Sequence, residues 1–207
     1  MAEEKINLKK LQGSKTKQKI YECARQLFST RHYSTVSVED ITRAAGVSKG
    51  TFFVHFPSKD ALIATLIADN TTDIDLDYKN FLDSLPPDLP TSKKMVALGE
   101  KIASVITDTI GYDTMMAIYQ IHLSKTVPLD AVMGYGRRLY IMFREILEQG
   151  IHQGEFHTDM PLDLLSRHFV MGIRGICYEW CVRYPDFDLK EQIVVHIKLL
   201  LKGIIAA

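Results

Sequence analysis

Cysteine is scarce in this chain. There are three, at positions 23, 177 and 181, too few and too odd in number for a disulfide framework, so Cys23, Cys177 and Cys181 read as free thiols. Long apolar runs are absent: no uninterrupted stretch approaches the ~20 residues that a bilayer span needs. The opening MAEEKINLKK has no signal-peptide hydrophobic region, and a cytoplasmic protein is expected. Net charge is missing, with 25 basic residues against 25 acidic ones. Catalytic signatures are missing too. No HExxH, Walker loop or Cys-x-x-Cys occurs, so no enzyme is expected, with no catalytic residues and no cofactor. Cys177 and Cys181 stand four apart with His168 and His196 in the same region, but metal-ligand spacing is not met and no metal site is expected. Asp69, Asp73, Asp75 and Asp77 are too irregularly spaced for a calcium loop.

What is present is an ordinary globular composition, unevenly charged. The 207 residues are 46% hydrophobic and 24% charged, enough to bury a core, and general disorder is excluded. Residues 1–60 carry 11 Lys and Arg against 6 Asp and Glu, whereas residues 61–207 carry 14 against 19. A basic end on an acidic body suggests different partners for the two, a polyanion for the first.

The apolar periods are helical nearly throughout. Ile20, Ala24, Leu27 and Phe28 make one stripe. Later helices are predicted at about 59–85, 92–109, 115–123, 129–154, 162–183 and 188–205, with Pro86, Pro87, Pro90, Pro128 and Pro161 between them. No strand is predicted. The expected fold is all-α, with about nine helices in two domains divided at residues 58 and 59.

The informative stretch is Ser37 to Lys59, SVEDITRAAGVSKGTFFVHFPSK. Ser37 and Asp40 suit a capping box, Gly46 a left-handed turn, and Ser48 a second N-cap. Two short helices about that turn form a helix-turn-helix. Phe52 and Phe56, four apart, anchor the second helix, leaving Lys49, Gly50, Thr51, Phe53 and His55 on its outer side. A seven-residue helix fits the DNA major groove, where each base pair shows its own donor and acceptor pattern.

Over residues 15–62 the chain resembles the TetR family of transcriptional regulators. The resemblance rests on the Ile20, Ala24 and Phe28 stripe, capped Ser37-Val38, Ile41, and AAGVSKGTFFVHFPSK through Lys59 and Leu62. Phe53 stands where the family usually has tyrosine, His32 where it has glycine, and Thr42 where alanine is common. The resemblance implies a helix-turn-helix DNA-binding domain at residues 1–58 with a basic N-terminal arm, and a helical effector-binding and dimerisation domain at 59–207. It places Ser37, Ser48, Lys49, Gly50, Thr51, Phe53, His55 and Lys59 at double-stranded DNA, with Lys15, Lys17 and Lys19 adding charge. The implied function is a repressor, a homodimer released from a palindromic operator by a small apolar or aromatic effector. A helical protein-interaction or ligand-binding protein without specific DNA binding is the alternative.

In the body, Met115, Met116, Tyr119 and His122 lie on an apolar helix, and Phe143, Cys177 and Trp180 are candidates to face them as an effector cavity. The helix at 162–183 carries two apolar stripes, which need cover on two sides, such as its own subunit and a partner. Phe169, Gly172, Ile176, Ile193, Ile197, Leu200, Leu201 and Ile204 are the predicted dimer interface, which in the family is a four-helix one.

Overall fold

A computed structural model describes the backbone of residues 2–205 and the side chains of residues 10–205. The described chain is helical: α1 (Ala2–Thr30), α2 (Val38–Ala45), α3 (Lys49–His55), α4 (Lys59–Ser84), α5 (Thr91–Ser104), α6 (Tyr112–Ser124), α7 (Asp130–Met133), α8 (Arg138–His152), α9 (Leu162–Arg183) and α10 (Leu189–Lys202). Nine of these have seven residues or more, and α7 is a single turn. One isolated antiparallel bridge, Phe156 with Ile205, is the only extended pairing among the described residues. No helix there is long and apolar enough to cross a membrane.

The chain divides into two compact units. One holds the residues up to Asp69 together with Gln120–Pro128, and the other holds Asn70–Tyr119 together with the residues from Leu129 onward. The division falls within α4 and again within α6. The predicted basic arm is also helical backbone, part of the 29-residue α1.

Local signals account for the first unit. Ile20 and Ala24 of α1, Ile41 and Ala45 of α2, and Phe52 of α3 have no exposed surface. Ser37 accepts a hydrogen bond from Asp40 N while the Asp40 carboxylate accepts from Ser37 N, the reciprocal cap that starts α2. Gly46 ends α2 at φ 60°, ψ 40°, a conformation that costs glycine little. Ser48 then accepts from Thr51 N to open α3.

In the second unit α5 packs on α8 and α10, and α9 on α8 and α10. Gly99 permits the close approach of α5 to α10, since a Cβ there would overlap the Ile197 side chain. The predicted helix from residue 129 to 154 is broken. After α7 the backbone extends at Gly134 (ψ 150°), and α8 begins only at Arg138. Any side chain at Gly134 would collide with the Asp130 carbonyl. The end of the predicted 92–109 helix is likewise altered, winding as a π segment, Val105–Ile110, before Gly111 at φ 76°.

α5 starts after Pro90, which offers no side-chain cap. Glu155 substitutes: its carboxylate accepts from Thr91 N (2.6 Å), Ser92 N (2.9 Å) and the Thr91 hydroxyl. Burial opposes its charge, but these bonds outweigh burial and hold the carboxyl below its usual range. A depressed pKa stabilises above the unfolded value, and the contribution disappears as pH falls through the folded one. Glu155→Ala is expected to cost about 1–2 kcal/mol at pH 7, a strong cap's worth. The deficit should shrink toward acid pH in urea unfolding curves; a deficit independent of pH would mean that the carboxylate charge is not what caps α5.

Candidate functional site

The α2–turn–α3 element presents one face of a short helix. On α3, Ser48, Lys49, Gly50, Phe53 and Val54 are exposed, while Thr51 and His55 are half-buried. Phe53 keeps 51% of its surface open and Val54 80%, so the middle of α3 offers hydrocarbon outward. The Phe52 ring, wholly buried, meets Phe53 edge-on at 5.3 Å and Phe56 at 6.0 Å, fixing α3 from beneath. His55 lies toward α1, with its Cε1 3.9 Å from where a Gly13 Cβ would stand.

Each charged candidate has a definite setting. Lys49 is paired with Glu39 of α2, and this contact from Lys49 holds the Glu39 carboxyl below its usual range. Ser37 is exposed in part but engaged in its cap. Lys15, Lys17 and Lys19 are exposed along α1, Lys17 lying 5.5 Å from the Phe56 ring centre. Lys59 is different. Its Nζ donates to the carbonyls of Tyr33 and Val36 at 3.0 Å each and sits 4.0 Å over the Tyr33 ring. That corrects the expectation of a phosphate-facing lysine: partial burial lowers its pKa, and its hydrogen bonds fasten the start of α4 to the loop before α2. Glu39 and Val54 were not singled out in the sequence. Glu39 shows only as an ordinary first-turn acid, and Val54 as one more apolar residue.

Comparison with known proteins bears first on the head. Residues 20–66 match the family described as bacterial regulatory proteins, tetR family. The regulator AcrR of Shigella flexneri is 27% identical over 93% of this chain and 91% of its own length. The repressor DhaR of Mycobacterium sp. (strain GP1) is 28% identical over 89% and 92%. The head of this chain, residues 20–66, is that of a TetR-family transcriptional regulator. Among solved structures, the TetR-family repressor FadR of Thermus thermophilus, in complex with lauroyl-CoA, superposes with a TM-score of 0.70 at 22% identity, covering 92% of this chain and 96% of that one. The fold is thus that of TetR-family regulators, and the chain is a DNA-binding regulator rather than an enzyme.

For a TetR-family head, the Lys49–Glu39 pair has a measurable consequence. If Lys49 meets DNA phosphate, Glu39 would compete for the same ammonium group. Lys49→Ala is expected to weaken operator binding about tenfold and to lower the slope of log affinity against log salt by about 1. Glu39→Gln should do the opposite, tightening binding severalfold. Fluorescence anisotropy on a promoter-derived palindrome at several salt concentrations checks both; an unchanged Lys49→Ala affinity would take α3 off the DNA.

The predicted effector residues fall in different settings. His122 is exposed and belongs to the first unit, unlike the others. Phe143 has no exposed surface and stacks on Phe169 at 5.9 Å. Trp180 packs edge-on against Tyr112 and Tyr184. Tyr119 donates to the Arg174 carbonyl at 2.9 Å and meets Tyr178 edge-on. Met115 is buried and Met116 half-buried. These side chains are engaged as packing, because an apolar helical stripe satisfies a core as well as it lines a cavity. Burial pushes Cys177 up to about 12 and Cys181 up to about 11, so neither is a thiolate near neutral pH. Among the described residues no three His, Cys, Asp or Glu side chains gather to hold a metal.

The predicted dimer residues are corrected in the same way. Phe169, Ile193 and Ile197 have no exposed surface, and Leu201 and Ile204 keep 3% and 7%. They are covered by the chain's own α5, α8 and α9, since these stripes point into the bundle. Gly172, Ile176 and Leu200 are half-exposed, and a Cβ on Gly172 would overlap His196 of α10. The outward stripe of α9 is Leu164, Met171, Tyr178 and Val182, and that of α10 is Val195 and Leu199. These were missed because they flank stripes that looked stronger.

Proposed function

We propose that the protein is a repressor that binds a palindromic operator as a homodimer and is released by a small organic effector held in its second unit. The observation that carries this reading is α3 itself: a capped helix, anchored by Phe52, with Lys49, Gly50 and Phe53 facing out. Lys49, with the N-terminal N–H groups near Ser48 and Ser37, would take phosphates. Gly50 lets a DNA backbone come close, and Thr51, Phe53 and His55 are the candidates for base edges. Phe53 has no hydroxyl to give a phosphate and suits a thymine methyl.

Pairing supplies the second head. The stripes Leu164, Met171, Tyr178 and Val182 on α9 and Val195 and Leu199 on α10 leave apolar surface open on two neighbouring helices, which supports a self-complementary four-helix contact. Two heads about 34–36 Å apart enter successive major grooves. An effector that favours the non-binding arrangement about 10⁴-fold would take the population from 1:99 to 99:1. The lauroyl-CoA held by the Thermus thermophilus FadR supports an organic effector as the class.

The test is binding to a duplex carrying a palindrome from the protein's own promoter region, against a scrambled duplex. Saturable, sequence-dependent binding that falls steeply with salt is the expected result. Equal binding to both duplexes, or to neither, would favour a helical interaction module.

A further inference from the structure

The second unit has a cleft at the junction of α8 and α9 that no sequence motif announced. It has a volume of about 270 Å³ and is lined chiefly by Tyr135, Tyr140, Arg144, Asp163, Ser166 and Arg167. Its chemistry is that of an anion site. The Arg167 guanidinium lies 4.5 Å over the Tyr135 ring and has no carboxylate partner among the described residues. Arg144 has one, Asp163, at a loose 3.7 Å. Two guanidinium groups against one carboxylate leave a single positive charge to be neutralised, which suits a monoanion better than a phosphate dianion.

The floor carries an unspent donor. Tyr140 keeps 5% of its surface and stands edge-on to Tyr135 at 5.5 Å. Its buried hydroxyl has no acceptor for its proton, and a buried donor left unmade is costly. Behind it, Arg174 sits 5.3 Å from the Tyr140 ring and donates to the carbonyls of Val132 and Met133 at 2.8 Å each. Ser166 is not free, since its hydroxyl donates to the Asp163 carbonyl. The Tyr135 and Tyr140 rings provide apolar walls, and a volume near the lower end of small-ligand sites has no room for a whole acyl-CoA.

We propose that this cleft binds a small organic monocarboxylate, with its carboxylate taken by Arg167 and Arg144, its apolar part against Tyr135 and Tyr140, and the Tyr140 hydroxyl as a further donor. The proposal rests on the reading that the second unit receives the effector, and it names that effector's class. Arginine suits the task because its planar fork meets both carboxylate oxygens.

The experiment is calorimetric titration of the full chain, without DNA, using benzoate, hexanoate and the neutral isostere benzamide. Saturable binding of at least one acid below about 1 mM is expected, with benzamide at least about tenfold weaker. Arg167→Gln should lose about tenfold in acid affinity, and Tyr140→Phe severalfold, while Lys49→Ala leaves it unchanged. Should circular dichroism show Arg167→Gln misfolded, Arg167→Lys carries the test, keeping the charge and losing the fork. Equal binding of benzoate and benzamide, full affinity in the Arg167 variant, or no acid binding up to about 10 mM overturns the proposal. Adding the acid to the operator complex separates the two readings. Acid binding without release leaves the cleft and removes it as the effector site; operator binding that fails while acid binding persists removes only the DNA reading.

Discussion

Asp75→Ala is expected to destabilise the protein by about 3–5 kcal/mol, the range for leaving a buried charge without its partner. The Arg137 guanidinium meets the Asp75 carboxylate through Nε at 3.0 Å and Nη2 at 2.7 Å, and the two side chains keep only 13% and 8% of their surface. Alanine would strand the guanidinium in a place that water barely reaches. Tyr78, 2% exposed, lies beside the pair; burial raises its phenol pKa well above the ordinary value, and Arg137 opposes that rise. With total stabilities of only about 5–15 kcal/mol, the loss is a large share of the whole. Replacing both partners, Asp75→Leu with Arg137→Met, should recover most of it, because two apolar groups in place of a buried ion pair are often neutral or better. Urea unfolding of the single and double variants checks this. A single-variant loss under about 1 kcal/mol would show that water relaxes into the site and that the pair is effectively solvated.

The second large effect concerns assembly. Val182 is 63% exposed and Leu199 58%, on the outward stripes of α9 and α10. An aspartate at either position leaves the chain's own core untouched but places a charge in the middle of the proposed contact. Val182→Asp and Leu199→Asp should each yield a species near 23.5 kDa by light scattering at micromolar concentration, where the parent is expected at twice that mass. Operator affinity should fall with it by about 10²–10⁴, the advantage of two linked heads over one. Phe169, which lies in the core, is the wrong place for such a test: its substitution would unfold the bundle and confuse the two effects. A parent protein already near 23.5 kDa would remove the pairing.

The head was readable from the sequence because its determinants are local. Ser37 with Asp40, Gly46 and Ser48 act within four residues of themselves, so caps and turn follow from spacing alone. The body was less so. Its helices follow from period, but which stripe faces inward depends on neighbours from elsewhere in the chain. Phe169 and Ile197 look like interface residues until α5 and α8 are in place to cover them. Lys59 looked like any surface lysine, and only the distant carbonyls of Tyr33 and Val36 reveal its engagement. The break before α8 was legible in Gly134 and Gly136, yet the apolar period ran across it. The α8–α9 cleft was invisible because it joins Tyr135 and Tyr140 to Ser166 and Arg167 across an intervening turn.

The Glu155 carboxylate bears on the order of folding. α5 spans 14 residues, a length at which an isolated helix in water is marginal, and it carries no start signal of its own. Its first N–H groups are satisfied by a residue some sixty positions further along the chain. During synthesis the ribosome releases residues 91–104 well before their cap exists. This segment must therefore acquire its helix late, by docking on a turn already formed at 150–156, instead of nucleating alone.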